Sequence, residues 1–265
     1  MTPRERDFVA GLCAARAGLN IETERAYVIE SAMSALARRE GFASVADILR
    51  AIRDRGDERL TWMVVEAMAP GACAFFRDEA VFEALAAGLQ AAVRAGASPR
   101  VWSAACGSGQ EIYSLGMLLE ERAVDGVELF ASDLSARRLE KAQGGLYSHY
   151  EIQQGLTARR LVRHFRNHDE AFVVRPELSR QVRWRRINLL DRPELGSFDL
   201  ILCRYTLGGL LPAARERVAA YLASALKPGG RLVLGAGETL PPSCGLEPDA
   251  VAGVFERPAL WRAAA

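Results

Sequence analysis

The sequence is poor in lysine and histidine, and its cysteines are not paired in any close motif. Lysine occurs only at Lys141 and Lys227, so arginine carries nearly all the positive charge of this 265-residue chain. That reflects composition and points to no function by itself. The five cysteines, at positions 13, 73, 106, 203 and 244, are odd in number and contain no Cys-x-x-Cys. This argues against a disulfide framework or a zinc ribbon and fits a reducing cytoplasm. Long apolar runs are also missing. The richest stretch, Val81 to Val93, contains Glu83 and Gln90 and is too short for a bilayer. Met1 to Arg16 mixes charges with apolar residues and has no signal-peptide core. There is no excess of one charge either. A net charge of +1 gives no bulk attraction to nucleic acid or to a membrane surface. Repeats and low-complexity tracts are absent. What remains is an ordinary globular balance, 50% hydrophobic and 25% charged, with ample apolar surface for a core. The expectation is a soluble, cytoplasmic monomer.

The length allows one α/β domain plus a small helical one. Residues 1–70 read as the helical part. Pro3-Arg4-Glu5 opens a helix that Gly18 ends. A second helix starts near Asn20 or Glu22, with Ala26, Ile29, Met33 and Leu36 at helical spacing and Gly41 closing it. Ser44 caps a third, and Glu58 to Met68 forms a fourth. Pro70-Gly71 is a breaker and marks the boundary.

From Phe75 onward the pattern changes. After a helix to about Arg94, strands at Val101–Ala105, Glu128–Ser132, Phe198–Cys203 and Arg231–Gly235 alternate with helices. The intervening helices read as Glu111–Arg122, Ala136–Gln143 and Ala213–Leu226. Strand–helix alternation predicts a mostly parallel sheet covered on both faces. Residues of about 170–187 read differently. Phe172–Arg175 and Gln181–Arg185 alternate as strands about a turn at Glu177-Leu178, which predicts a small antiparallel insertion.

In such a sheet a ligand lies beyond the carboxyl ends of the strands. The first strand ends at Ala105, and Cys106-Gly107-Ser108-Gly109 follows, with glycines placed for a sharp turn and close backbone approach. Asp133 ends the next strand, 24 residues after Gly109, where a carboxylate can accept both hydroxyls of a ribose. A dinucleotide site would place a third glycine where Ile112 stands, and Glu111 at the helix start would repel a pyrophosphate. A carboxylate there suits an ammonium group. S-adenosylmethionine (SAM) offers an ammonium, a ribose and no phosphate.

Joined to Phe75-Phe76-Arg77-Asp78, the stretch Trp102–Glu111 resembles the chemotaxis receptor methyltransferases, the CheR family. Tyr113-Ser114, Asn188-Leu189-Leu190, Phe198–Arg204 and Gly235-x-Gly-Glu238 extend the match over nearly the whole chain. The resemblance implies an α/β, Rossmann-like class I SAM-dependent methyltransferase domain (71–265) with a small antiparallel β insertion, preceded by an all-α domain (1–70). It implies methyl transfer from SAM to glutamate side chains of chemoreceptor cytoplasmic helices, giving γ-methyl esters and S-adenosylhomocysteine. It also implies that Arg77 and Glu111 meet the methionine end, that Asp133 holds the ribose, and that Asn188 and Leu189 flank the adenine. Arg204 and Tyr205 would complete the pocket floor, Cys73 would face the methyl group, and Arg77 with Tyr205 would serve the reaction itself.

The chain departs from the family where the methyl group would lie. Gly71-Ala72-Cys73 replaces Asn-Glu-Thr, Tyr205 replaces Asn, and Gly208-Gly209-Leu210 replaces Ile-Tyr-Phe. Gly109-Gln110-Glu111-Ile112-Tyr113 stands for Gly-Glu-Glu-Pro-Tyr, and Ala32 replaces an Arg that meets the receptor. Each lost positioning hydrogen bond costs on the order of 2–4 kcal/mol of barrier, by analogy with oxyanion donors. Two alternatives therefore stand beside receptor methylation: a slow or silent SAM-binding signalling protein, and a methyltransferase with another acceptor. Other features read more simply. Cys106 is a packed loop residue. His164 and His168, four apart, would share one helix face without enough ligands for a metal. Arg183 and Arg185 alternate with Val182 and Trp184, a solvated face against a packed one rather than an RNA surface. In some family members the insertion docks receptor-tail peptides by strand addition. The short Arg166–Ala171 loop favours a member that does not.

Overall fold

The computed structural model describes residues 1–70 and 73–259. They divide into two compact units, 1–70 with 208–217, and 73–207 with 218–259.

The first unit holds α1 (Pro3–Ala17), α2 (Ala26–Arg39), α3 (Val45–Arg55) and α4 (Glu58–Met68). Local signals fix the ends. Thr2 and Glu5 form a capping box at α1, and Gly18, at φ 64°, caps its other end. Ser44 and Asp57 cap α3 and α4 through their side chains. α2 starts later than its periodicity indicated and has no side-chain cap. Val9, Cys13, Ile29, Met33, Ile48, Leu60 and Val64 form the buried stripes. Gly208–Arg217 joins this unit through Asn20 N–H on Gly209 O (2.9 Å) and Leu211 N–H on Gly18 O (2.8 Å). Gly209 thus belongs to the helical unit.

The second unit begins with α5 (Glu79–Arg94), β1 (Arg100–Ala104), α6 (Gln110–Glu121), β2 (Glu128–Asp133) and α7 (Ala136–Gly144). Next come β3 (Leu146–Ser148), α8 (His149–Gln153), α9 (Ala158–His164), β4 (Phe165–His168), β5 (Ala171–Val174), α10 (Pro176–Ser179) and β6 (Val182–Arg186). The chain closes with β7 (Phe198–Leu202), α11 (Pro212–Ser224, grouped with the first unit as far as Arg217), β8 (Leu226–Val233), β9 (Glu247–Pro248) and β10 (Val254–Glu256). The main sheet runs β6-β2-β1-β7-β8-β10-β9. The pairs from β6 to β8 are parallel, and β10 and β9 are antiparallel. From β1 the chain steps outward to β2 and β6, then returns to β7 on the other side of β1. That reversal opens the crevice at the carboxyl ends of β1 and β7 where ligands bind in this class. Val101, Trp102, Leu129, Ile201 and Val233 are fully buried beneath it.

The structure corrects the insertion expected over about 170–187. β5 pairs antiparallel with β3 and β4 in a separate three-stranded sheet. β6 instead lies parallel to β2 at the edge of the main sheet, with Leu129 opposite Val182 and Asp133 opposite Arg186. The small sheet thus draws on residues 146–174, and Pro176 starts a helical turn that redirects the chain. Along β6, Val182 is buried and Trp184 half-buried while Arg183 and Arg185 are exposed. The two histidines also separate: His164 closes α9 and His168 ends β4, so they share no helix face. Pro228-Gly229-Gly230 lies within β8, which begins before the expected strand Arg231–Gly235, and its register with β7 shifts between Phe198 and Leu200.

Candidate functional site

Behind β1 the chain reverses through Ala105 (φ 59°) and Gly107 (φ 56°), and Gly109 (φ 90°) starts α6. The approach is too close for side chains. A Cβ on Gly107 would lie 2.2 Å from Cys73 Sγ, and one on Gly109 would lie 3.0 Å from Ala142 Cβ. Asp133 organises this loop. Its Oδ2 accepts Gly107 N–H at 2.8 Å and its Oδ1 accepts Ser135 N–H at 2.9 Å. Ser135 in turn caps α7. Ile187 N–H donates to the Asp133 carbonyl at 3.0 Å, so Asn188 and Leu189 follow directly beside the end of β2. Asn188 Oδ1 accepts Leu190 N–H at 3.2 Å, shaping the turn that buries Leu189. Tyr147, from the small sheet, donates its hydroxyl to Ser108 O at 2.5 Å.

A second group centres on Arg204, which follows β7. Its side chain is 1% exposed and every nitrogen is engaged. Nε donates to Leu234 O at 3.4 Å, and Nη1 to Arg77 O at 3.0 Å and Glu111 Oε1 at 2.5 Å. Nη2 donates to Asp78 Oδ2. Arg204 thereby ties together the ends of β7 and β8, the Arg77-Asp78 turn and the first turn of α6. Tyr205 sits at φ 55°, a left-handed conformation unusual for a tyrosine. It is held there by its N–H on Glu238 Oε2 (2.6 Å) and its hydroxyl on Asp78 Oδ2 (2.7 Å). Gly235 makes room, since a Cβ there would meet the Tyr205 ring at 2.6–2.8 Å. The Arg77 guanidinium stacks over that ring, 3.4 Å from its centroid.

The structure therefore brings Arg77, Glu111, Arg204 and Tyr205 together at the end of β7. It gathers Cys73, Asp133, Asn188 and Leu189 around the glycine loop. Glu111 belongs to α6, which starts at that loop, and so connects the groups. Gly71 and Ala72 lie outside the described residues. Gly209, in the first unit, has Pro70 Cγ 3.0 Å from where its Cβ would be.

The electrostatics are uneven. Burial pushes the Glu111 carboxyl up to about 7, although Arg204 and Arg77 pull the other way. Such a carboxylate gains from an added cation. Burial also raises the Cys73 thiol to about 11, so at neutral pH it is a packing group and not a nucleophile. A desolvated acid at Glu111, an acid closing β2 and glycine backbone without room for side chains fit a ligand with an ammonium, a ribose and no phosphate.

Sequence reasoning gave no role to Asp78 or Glu238. Asp78 joins Arg204 to Tyr205, and Glu238 accepts the N–H of Tyr205 and of Gly235, the latter at 2.9 Å. Both stand inside the motifs Phe-Phe-Arg-Asp and Gly-x-Gly-Glu, which is the signal that could have found them.

Residues 72–248 match the family model for the CheR methyltransferase SAM-binding domain. The chain is 34% identical over 236 residues to chemotaxis protein methyltransferase 1 of Pseudomonas aeruginosa, covering 84% of this chain and 85% of that protein. It is 34% identical over 244 residues to a chemotaxis protein methyltransferase of Vibrio parahaemolyticus, covering 89% and 88%. A third relative, chemotaxis protein methyltransferase Cher2 of Pseudomonas putida, is 32% identical over 235 residues, covering 84% and 86%. With the glycine loop, Glu111 and Asp133 arranged as described, this chain belongs to the CheR family of SAM-dependent methyltransferases.

Proposed function

We propose that this chain methylates glutamate side chains on the cytoplasmic helices of chemoreceptors, forming γ-methyl esters, and acts as a cytoplasmic monomer. The names of its relatives support a chemotaxis substrate. The observation that carries a carboxylate acceptor is Arg77. Its guanidinium stacks on Tyr205, and among the described residues it forms no ion pair. A guanidinium oriented by the Tyr205 ring, and without an ion pair among the described residues, attracts the carboxylate of an acceptor brought to the site.

SAM supplies the electrophilic methyl group. Glu111 holds the ammonium, Asp133 the ribose hydroxyls, and Asn188 with Leu189 the adenine. A glutamate acceptor is already ionised at neutral pH, so no general base is needed. The residues have only to align the acceptor and exclude water. Tyr205 acts here through its ring, as the platform under Arg77, because its hydroxyl is committed to Asp78.

That commitment also favours a second reading. The residue standing where the family has Asn offers its hydroxyl to Asp78 rather than to an acceptor, so a slow or silent SAM-binding signalling protein is the alternative. One experiment separates them. The chain is incubated with radiolabelled SAM and receptor-enriched membranes, and volatile methanol is collected after alkali. Base-releasable label is the expected result. Cofactor binding without releasable label favours the alternative, and label stable to alkali indicates another acceptor.

A further inference from the structure

Gln110 is the first residue of α6 and is 2% exposed, yet its side-chain Oε1 has no hydrogen-bond partner. Buried polar atoms in folded proteins nearly always find one, and an unmet acceptor costs free energy. A ligand that supplies the donor would remove that cost.

The position of Gln110 in the first turn of α6 places it beside two parts of the site. Gln110 and Ser114 are four residues apart and share a face. Ser114 Oγ accepts the N–H of Phe76 at 2.9 Å and donates to Gln110 O at 2.7 Å. That face therefore looks onto the segment leading to Arg77. Side chains in a first turn also tilt toward the helix N-terminus, here toward the loop Cys106–Gly109. Gln110 and Glu111 are the first two residues of α6, both in the turn that follows the Cys106–Gly109 loop.

We infer that Gln110 Oε1 is a second acceptor for the ammonium of the cofactor's amino-acid end, beside Glu111. This rests on the reading of the site as one for SAM. An ammonium carries three donors, so a single carboxylate leaves part of it unmatched. A neutral amide adds an acceptor without adding a charge. The distinction matters because Glu111 already titrates near 7 through burial. A second carboxylate at 110, the family's usual residue, would make Glu111 still harder to ionise. The glutamine supplies an acceptor and leaves the charge balance of the Glu111, Arg204 and Asp78 cluster unchanged.

The test compares two ligands by calorimetry on the full chain at pH 8. S-adenosylhomocysteine has the ammonium, and methylthioadenosine has the adenosine and sulfur but lacks the amino-acid end. Gln110→Met keeps the length and apolar packing and removes the acceptor. The expected result is that it weakens S-adenosylhomocysteine about tenfold or more, the scale of one hydrogen bond to a charged group. Methylthioadenosine should bind both proteins equally. The ligand-free variant should melt no lower than the parent, because an unmet buried acceptor has gone. Unchanged S-adenosylhomocysteine affinity overturns the inference and leaves the SAM site intact. Equal weakening of both ligands also overturns it, since that marks a packing role. Failure of the parent chain to bind S-adenosylhomocysteine overturns the underlying reading as well.

Discussion

Glu111 makes a prediction that can be worked through in numbers. Its side chain is 14% exposed, it contacts Arg204, and burial still holds its carboxyl at about 7 instead of the ordinary 4.5. If the ammonium binds only the ionised form, protonation competes with ligand. Apparent affinity then scales with the ionised fraction. Between pH 8 and pH 6 that fraction falls about tenfold, so the dissociation constant of S-adenosylhomocysteine rises about tenfold, roughly 1.4 kcal/mol. The same shift makes a second claim about stability. A carboxyl whose folded value lies above its unfolded value adds stability below the unfolded value, about 4.5. That contribution is lost as pH rises through the folded value of about 7. The whole effect is of order 3 kcal/mol. Glu111→Gln mimics the protonated form. It should therefore be more stable than the parent at pH 8, equal to it at or below pH 4.5, and nearly flat in binding across pH 6–8. Calorimetry in a pH series, with chemical denaturation alongside, reads both. Pronounced pH dependence that persists in Glu111→Gln would refute the reasoning, as would a flat response in the parent.

Other substitutions follow from contacts already described. Asp133→Ala removes the acceptor for Gly107 and Ser135 N–H as well as the proposed ribose contact. It should weaken S-adenosylhomocysteine by an order of magnitude or more, a charged contact being worth roughly 1.5–3 kcal/mol, and lower the melting temperature too. Gly235→Ala places a methyl against the Tyr205 ring and should cost about 1–3 kcal/mol of stability by overpacking, read by denaturation. Methyl transfer should fall with it, because the ring carries Arg77. Cys73, with its thiol at about 11, should react with iodoacetamide far more slowly than glutathione does at pH 8. Rapid alkylation there, located by peptide mapping, would contradict the packing described around Gly107.

The arrangement proposed to hold the cofactor was legible in the sequence because each of its elements is local. A loop with glycines at 107 and 109, an acid in the next helical turn and an acid closing the following strand all lie within 27 residues, 107–133. The helix ends were legible for the same reason, since Thr2, Ser44 and Asp57 act on N–H groups three residues away. Partners in a sheet are not local. Val182–Arg186 alternates as any half-buried strand does, and nothing in that pattern distinguishes pairing with Phe172–Val174 from pairing with β2. β3 is three residues long and gives too little pattern to read. The Tyr205 cluster joins residues far apart, with Asp78 127 positions away and Glu238 33 positions away. Only folding shows that a tyrosine in place of the family's Asn is held by an acid that also grips Arg204.

The central claim is that this pocket presents an acceptor carboxylate to SAM beside Arg77, and it concerns a product. The most direct measurement is peptide mass spectrometry of chemoreceptor protein after incubation with the chain and SAM. The account predicts the mass of one methyl group on glutamate residues, lost on mild alkali and strongly reduced with Arg77→Met. An unmodified receptor, from a chain that binds S-adenosylhomocysteine normally, would contradict it.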